Sequence, residues 1–199
     1  SPEFPYEKSK YYAELKLKDA IDKEGFPATI IRPTHIYGPR DKNTVKLFRI
    51  IKRFVLFPLI GGGSSLFQPL YVKDLIKSLI LCIEKKKISM KQTYLAAGKE
   101  ILTYQDFMLL SAKILGAPLK TFGVSERLAN PLADVSEKIA TAFNFEPPLT
   151  RSRVAFFSRD QTYKIEKIQR ELGFFPSTDI ETGLRLMIEW YQQSACKMN

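Results

Sequence analysis

The sequence contains little cysteine and little histidine, with two cysteines and one histidine among 199 residues. Cys82 lies in an apolar helical stretch and Cys196 in the C-terminal tail, which gives neither a disulfide framework nor a metal-ligand cluster. Cysteine usage of this kind is typical of a reducing compartment, so we expect a cytoplasmic location. The longest apolar runs, 54–60 and 79–83, are too short to cross a bilayer. We therefore expect neither a membrane span nor a signal peptide.

The chain also lacks a concentrated basic segment, although its net charge is +10. Its 31 lysines and arginines are scattered over every predicted helix among 21 acidic residues. We recognise no basic arm, zinc finger or aromatic RNA-binding platform, so we expect no nucleic-acid partner. Attraction of a phosphorylated small-molecule substrate is a better explanation of the charge. The length and the 45% hydrophobic content suit one domain, or one and a half, with a substantial core.

The first forty residues contain a helix followed by a short apolar strand, which together form half of an α/β crossover unit. Gly25 ends the helix and Pro27 prevents its continuation. The strand 28–32 is apolar without strict alternation, as expected for a strand covered on both faces, and Pro33 should terminate its pairing. Ligands of open α/β sheets bind beyond the carboxyl ends of the strands, so residues 33–37 form the expected mouth of a site.

Local signals predict the remaining elements. We expect strands at 69–72 and 93–97, with Asp74 as the N-cap of a helix over 75–84. Thr103 and Asp106 predict a capping box for the helix that Gly116 closes. Further helices are predicted over 44–54, 125–144 (interrupted at Asn130-Pro131), 164–172 and 180–192.

The pattern Tyr-x-x-x-Lys occurs three times, at Tyr6/Lys10, Tyr12/Lys16 and Tyr163/Lys167. About one match is expected by chance in a chain this rich in lysine, so placement must separate the three. Helical spacing continues Tyr6 and Lys10 into an apolar stripe formed by Ala13, Leu17, Ala20 and Ile21, whereas the other two pairs continue into charged residues. The pattern therefore predicts that only Tyr6 and Lys10 face the interior. A half-buried tyrosine beside a snorkelling lysine is the alternative explanation.

A tyrosine and a lysine in this arrangement could perform proton transfer. A free tyrosine has a pKa of about 10, which is too high for a base at neutral pH. A lysine one helical turn away favours the phenolate, and a bound oxidised nicotinamide would add a second positive charge. The phenol could then exchange a proton with a substrate hydroxyl or carbonyl while hydride moves to or from the cofactor.

Several stretches occur together in one order along the chain. They are Pro5-Tyr6-Glu7-Lys8-Ser9-Lys10, Ile31-Arg32-Pro33-Thr34-His35-Ile36-Tyr37-Gly38-Pro39, Leu70-Tyr71-Val72-Lys73-Asp74-Leu75, Tyr94-Leu95-Ala96-Ala97-Gly98, Glu171-Leu172-Gly173-Phe174 with Pro176, and Gly183-Leu184 with Glu189-Trp190. This ordered set resembles the extended short-chain dehydrogenase/reductases, the NAD-dependent epimerase/dehydratase group. The resemblance implies an α/β fold: the C-terminal part of a Rossmann-type parallel sheet plus a small, mostly helical substrate-binding domain.

The resemblance also implies roles for individual residues in an enzyme that uses NAD or NADP. Tyr6 would donate or accept the proton, and Lys10 would favour its phenolate and hydrogen-bond the nicotinamide ribose. Pro33 and Ile36 would line the nicotinamide. His35, the single histidine, and one of Arg151 and Arg153 would contact a small-molecule substrate. From the residues alone, His35 could also be a loop histidine with a backbone partner, although its position favours a site, and the two arginines could be a surface pair.

The family's glycine-rich dinucleotide fingerprint lies upstream of this tyrosine, and Gly61-Gly62-Gly63 do not replace it because no helix opens at them. We therefore expect the C-terminal portion of a larger enzyme, inactive by itself. Residues 1–4 are expected to be a vector scar, 5–43 a remnant of the NAD(P)-binding domain, and 44–199 the substrate-binding domain with some sheet-completing elements. The exposed edge of a half sheet predicts self-association into a homo-oligomer.

The substrate class stays open. Nucleotide-sugar members of the family often carry an arginine shortly before the position of Asp74, where this chain has Phe67-Gln68-Pro69. The resemblance therefore allows a sugar nucleotide or, alternatively, a 3β-hydroxysteroid-like lipophilic alcohol. A non-catalytic binding subunit with the same fold is a further hypothesis, and a basic binding module is another.

Overall fold

The computed structural model describes residues 2–196, with side chains described as far as residue 193. Ser1 of the expected vector scar and the Cys196 side chain lie outside the described part. Helices are α1 Pro5–Glu24, α2 Lys42–Arg53, α3 Val72–Glu84, α4 Lys86–Ser89, α5 Tyr104–Leu115, α6 Glu126–Phe143, α7 Arg151–Ser158, α8 Glu166–Leu172 and α9 Ile180–Cys196. Strands are β1 Ile30–Pro33, β2 Ile36–Tyr37, β3 Leu56–Ile60, β4 Leu66–Phe67, β5 Leu70–Tyr71, β6 Thr93–Ala96, β7 Leu102–Thr103 and β8 Lys120–Val124.

The expected α/β class is confirmed by parallel pairing of β1 with β6, whose connection includes helix α3. The expectation that Pro33 terminates this pairing is wrong, because Pro33 lies opposite Ala96. The backbone N–H groups of Ile30 and Thr34 both donate to the β6 side, at 2.9 Å each. Pro33 has no backbone N–H, but it lies between these two donors along the strand, so no hydrogen bond to β6 is lost at its position.

A second parallel pair, β3 with β8, forms the sheet of the other part of the molecule. Its register places Leu56 opposite Lys120 and Ile60 opposite Val124. The sequence showed the β3 segment only as an apolar run interrupted by Pro58, and gave no signal for β8. Two short pairs complete the pairing of the named strands, β2 with β5 (parallel) and β4 with β7 (antiparallel).

Helix ends follow the local signals. The Thr103 hydroxyl accepts from the Asp106 N–H at 3.0 Å, and the Asp106 carboxylate accepts from the Thr103 N–H at 3.4 Å, so the capping box of α5 is confirmed. Gly25, Gly116 and Gly173 end α1, α5 and α8 in the left-handed conformation, with φ between 67° and 69°. Glycine adopts this conformation without a Cβ penalty, which is why these positions could be recognised.

Two local expectations are wrong. Helix α6 is continuous through Pro131, because a single missing N–H removes one hydrogen bond while Ala129 and Ala133 stay buried against Val154. Asp74 does not cap its helix, because α3 already begins at Val72. Its buried carboxylate instead accepts hydrogen bonds from the segment before α9. The donors are Ser177 N (3.2 Å), Ser177 Oγ (3.0 Å) and Thr178 N (3.0 Å).

The largest core joins α9 to the middle of the chain. It contains the buried residues Tyr37, Phe48, Phe67, Tyr71, Phe107, Ile180, Leu184, Met187 and Ile188. A second core packs α3 and α8 against β6, with Tyr94, Ile168 and Leu172 fully buried. Because β2 and β4 belong to the first core, the loop that follows β1 is held on a rigid base.

Candidate active site

A cleft of about 530 Å³ lies where β1 ends. Its walls contain four residues to which the sequence assigned roles, namely Tyr6, Pro33, His35 and Ile36. They come from the first turn of α1, the last residue of β1 and the loop and strand that follow. The structure thus brings together the tyrosine and the loop at the carboxyl end of a parallel strand, where ligands of α/β proteins bind.

The start of α1 presents Tyr6 to this cleft. The Glu7 carboxylate accepts from the backbone N–H groups of Glu3 at 2.9 Å and Phe4 at 3.4 Å, which fixes the entry of the chain into the helix. Tyr6 is 72% exposed, and the Lys10 ammonium lies 5.6 Å from the centroid of its ring. The expectation that both face the interior is wrong, because within α1 the apolar stripe becomes buried only at Ile21.

An ion pair fastens α1 to β1. The Arg32 guanidinium holds the Glu14 carboxylate through two hydrogen bonds, with Nε donating to Oε2 at 2.8 Å and Nη2 donating to Oε1. Lys18 approaches the same carboxylate at 2.9 Å. The hydrogen bond from Arg32 lowers the pKa of Glu14 to about 2. Since Arg32 also lines the cleft, this pair sets the position of Tyr6 relative to Pro33.

His35 lies between aromatic rings at the deep side of the cleft. Its ring centroid is 6.3 Å from that of Phe67 and 6.0 Å from that of Phe156, and its carbonyl accepts from the Leu70 N–H at 2.8 Å. Burial lowers the pKa of His35 below its ordinary value, although the Asp41 carboxylate opposes this. The imidazole is therefore neutral at pH 7 and has one nitrogen to donate and one to accept.

A second pocket of about 530 Å³ continues beyond His35 towards α2 and α7. Arg153 lines it, and its guanidinium donates to the carbonyls of Pro147 (2.6 Å) and Pro148 (2.9 Å) and to Glu146 Oε1 (2.9 Å). Lys46 donates to the other oxygen of Glu146 at 3.1 Å. The Arg153 side chain therefore fastens the Glu146-Pro147-Pro148 segment against the pocket.

Arg151 lies elsewhere. Its guanidinium forms a bidentate pair with Asp134 of α6, with both donor–acceptor distances at 2.5 Å, and its backbone N–H donates to Glu137 at 2.9 Å. Both members of the ion pair are partly exposed, and neither residue lines the cleft or the pocket beyond His35. Of the two arginines, the structure brings only Arg153 to a pocket shared with His35.

Sequence reasoning missed the segment 161–163, which forms the wall opposite Ile36. Gln161 and Tyr163 line the cleft, and a parallel bridge pairs Gln161 with Phe67. The buried amide of Gln68 holds this segment, since Oε1 accepts from the Tyr163 N–H at 3.0 Å while Nε2 donates to the Gly98 carbonyl at 2.8 Å. The sequence gave no signal for this arrangement, because the bonded residues are 30 and 95 positions apart.

Tyr163, which is also followed by a lysine four residues on, lines the cleft too. Its lysine, Lys167, does not line the cleft. The Lys167 ammonium donates to Gln92 Oε1 at 2.9 Å and to the Thr93 carbonyl at 3.2 Å, and lies 5.0 Å from the Tyr94 ring centroid. Tyr6 is therefore the cleft tyrosine whose own lysine, four residues on, lies beside its ring.

Parallel strands, a crossover helix and a tyrosine-bearing cleft at a strand's carboxyl end together define a Rossmann-type α/β protein. Residues 1–97 match the model of the NAD dependent epimerase/dehydratase family. Over these residues, just under half of its length, the chain is similar to this family.

Individual relatives extend the similarity beyond residue 97. The chain is 25% identical over 197 residues to 3beta-hydroxysteroid-dehydrogenase/decarboxylase isoform 1 of Arabidopsis thaliana, covering 92% of this chain and 45% of that protein. It is 34% identical over 96 residues to the NADH dehydrogenase [ubiquinone] 1 alpha subcomplex subunit 9 of the same plant, covering 48% of this chain and 23% of that protein. The chain spans about half the length, or less, of these relatives.

The fold is shared with solved structures across nearly the whole chain. The crystal structure of UDP-glucuronic acid 4-epimerase from Bacillus cereus in complex with NAD superposes with a TM-score of 0.72, at 19% identity. The superposition covers 98% of this chain and 54% of the epimerase chain.

No helix within residues 2–196 has the length and apolar character needed to cross a membrane.

Burial of the Cys82 thiol raises its pKa.

Proposed function

We propose that the chain supplies the proton-transferring tyrosine and the substrate pocket of an NAD(P)-dependent oxidoreductase, epimerase or dehydratase. The observation that carries this proposal is the single cleft at the end of β1, lined by Tyr6, Pro33, His35 and Ile36. Residues 5–43 would be the part of the NAD(P)-binding domain that holds these groups. Residues 44–199 would hold the substrate, in a homo-oligomeric cytoplasmic enzyme.

The residues of the cleft suit the nicotinamide end of the cofactor. Pro33, Ile36 and Leu95 offer an apolar wall for a flat ring. Tyr6 lines the same cleft, and the exposed Lys10, which is not part of its walls, lies beside the Tyr6 ring. The Lys10 ammonium would donate a hydrogen bond to the ribose next to that ring. When bound, the cofactor would supply the chemistry of accepting or donating a hydride at the substrate carbon.

Tyr6 would perform the proton half of the reaction. For an alcohol substrate, the Tyr6 phenolate oxygen would take the hydroxyl proton, so that the substrate oxygen could become a carbonyl as the bound cofactor accepts the hydride. In the reverse direction the Tyr6 hydroxyl returns the proton to the carbonyl oxygen. The Lys10 ammonium lies beside the Tyr6 ring, and the neutral His35 can hydrogen-bond the substrate oxygen or a neighbouring hydroxyl.

A Tyr6→Phe substitution in the whole protein tests this proposal, with Tyr12→Phe as the matched control. Tyr12 is equally followed by a lysine four residues on, is exposed on the same helix and does not line the cleft. We expect Tyr6→Phe to lower the turnover number about 100-fold or more while NAD(P)H affinity is kept, because a general acid–base group is lost. Nicotinamide absorbance with a panel of ketones and keto-sugars measures turnover, and titration of NADPH fluorescence measures affinity.

Two results would oppose the assignment of Tyr6. Equal turnover in Tyr6→Phe and Tyr12→Phe would remove Tyr6 from the chemistry. Loss of turnover in Tyr163→Phe alone would transfer the role to the other cleft tyrosine.

A non-catalytic binding subunit is the second candidate. Two observations favour it: the high exposure of Tyr6, and the similarity of residues in this chain to a protein named as a subunit of NADH dehydrogenase. In a binding subunit Tyr6→Phe would change neither cofactor affinity nor any turnover. The same pair of variants therefore separates the two candidates.

A further inference from the structure

An apolar cavity of about 340 Å³ lies between β3, β8, α6 and α7, outside the cleft of Tyr6. Its walls include the aliphatic and aromatic side chains of Phe57, Leu59, Ile60, Val124, Leu149 and Phe157. This volume lies in the range of pockets that hold small organic molecules. A cavity of this size with apolar walls offers almost no hydrogen-bond partners to water, so an apolar ligand is its natural occupant.

Arg153 is the charged residue in the walls of this cavity, and its guanidinium is already engaged. It donates to the carbonyls of Pro147 and Pro148 and to the Glu146 carboxylate. A nucleoside diphosphate carries charges that need free cations, so these walls favour an uncharged, lipophilic group.

The cavity adjoins the pocket beyond His35 in the candidate active site. It shares Leu47, Phe57, Tyr104, Pro148, Arg153 and Phe157 with the pocket beyond His35. His35 lines both that pocket and the cleft of Tyr6. A molecule with its apolar end in the cavity can therefore extend past His35 towards Tyr6.

We infer that the substrate is a lipophilic secondary alcohol or its ketone, whose hydrocarbon body fills the cavity while its oxygen lies between His35 and Tyr6. This inference rests on the proposed function for its reacting end. The cavity itself would bind hydrocarbon whether or not Tyr6 transfers a proton.

Binding of methyl ketones to the 199-residue chain tests the cavity directly. The probes are 2-hexanone, 2-octanone and 2-decanone, with UDP-glucose as the nucleotide-sugar competitor. We expect binding to tighten about fourfold per added methylene, which corresponds to about 0.8 kcal/mol per buried CH₂. In methyl-labelled protein, NMR signals of Leu59, Val124 and Leu149 should shift on addition of 2-decanone and stay in place with UDP-glucose.

A cavity-filling variant and a matched control sharpen this test. Leu149→Trp should lower the affinity for 2-decanone at least tenfold and remove the dependence on chain length, because the added ring occupies the cavity. Leu128→Trp changes an exposed leucine of α6 outside the cavity walls. It should leave the affinity for 2-decanone and the dependence on chain length unchanged. Val124→Phe is a second filling variant, and thermal unfolding of all variants verifies that the fold is retained.

The outcomes separate the cavity from the catalytic proposal. Affinity that is flat with chain length in the unmodified chain, or methyl shifts produced by UDP-glucose instead of 2-decanone, would overturn the inference. Chain-length-dependent binding that Leu149→Trp abolishes supports it, even if Tyr6→Phe leaves turnover unchanged. In that case the proposed chemistry would fail while the lipophilic site stands.

Discussion

Gly183 of α9 is required by the ring of Tyr37. A Cβ at this position would lie 2.1 Å from the Tyr37 hydroxyl oxygen and 2.8 Å from the ring carbon that bears it. Both residues are buried in the largest core, where neighbouring side chains leave no room for the ring to move. We expect Gly183→Ala to destabilise the protein by about 1–3 kcal/mol through overpacking, measured by urea unfolding.

A double-mutant cycle with Tyr37→Phe tests the cause. The Tyr37 hydroxyl has no hydrogen-bond partner among the described residues, so removing it should cost little or stabilise the fold. It should also restore part of the stability lost in Gly183→Ala, because the shortest contact disappears. Additive effects would show that the cost of Gly183→Ala arises from something other than this contact.

The two arginines after Thr150 show what a sequence can and cannot say about a residue. The family resemblance implied that one of them contacts a substrate, but the choice between them depends on Asp134 and Glu146. Asp134 is 17 positions away from Arg151, on another helix. Whether a cation is free for a substrate is set by such tertiary partners, which no local pattern encodes.

The attachment of α1 to β1 should depend on pH. Arg32 lowers the pKa of Glu14 from 4.5 to about 2 in the folded protein, and the Glu14 side chain is only 19% exposed. A lowered folded-state pKa contributes stability that is present in full above pH 4.5 and is lost as the pH falls towards 2. A pKa shift of this size corresponds to about 3 kcal/mol of stability. Because Arg32 is half exposed, solvent screening should reduce this contribution to about 1–2 kcal/mol.

Glu14→Gln tests this dependence. We expect it to lower the free energy of unfolding at pH 7 and to have much less effect near pH 2, as followed by urea titration at each pH. Asp19→Asn is the control, because Asp19 pairs with Lys23 on the exposed face of the same helix. A difference between Glu14→Gln and the unmodified protein that is the same at pH 7 and pH 2 would contradict the linkage.

Elements that depend on neighbouring residues were predicted, and those that depend on distant partners were not. The capping box of α5 and the glycine ends of α1, α5 and α8 need only a few adjacent residues. The β3–β8 pair joins segments about sixty residues apart, and β8 carries polar and apolar residues in no clear alternation. The same reason explains why the cleft residues 33–36 were found and the wall at 161–163 was not.

Two helices of the part of the molecule that contains the β1–β6 pair expose several large apolar side chains. Helix α3 exposes the side chains of Ile76, Leu79, Ile80 and Ile83, and α1 exposes Tyr11, Tyr12 and Leu15. Within the described residues, β1 pairs only with β6, so its other edge has no partner strand. An open strand edge and exposed apolar side chains on a helix each promote association with another chain.

We therefore expect the 199-residue chain to self-associate through this surface, and Ile80→Lys/Ile83→Lys to weaken the association at least about 100-fold. A fully buried isoleucine contributes about 1.5–3 kcal/mol, and each copy would lose two at a contact formed by both. Lysine is as good a helix former as isoleucine, so α3 should remain intact. Sedimentation velocity over a wide range of concentrations measures the association, and Leu109→Lys on the exposed face of α5 is the control. A chain that stays monomeric at the highest concentration, or a double variant that associates as strongly as the control, would show that this surface does not bind a second copy.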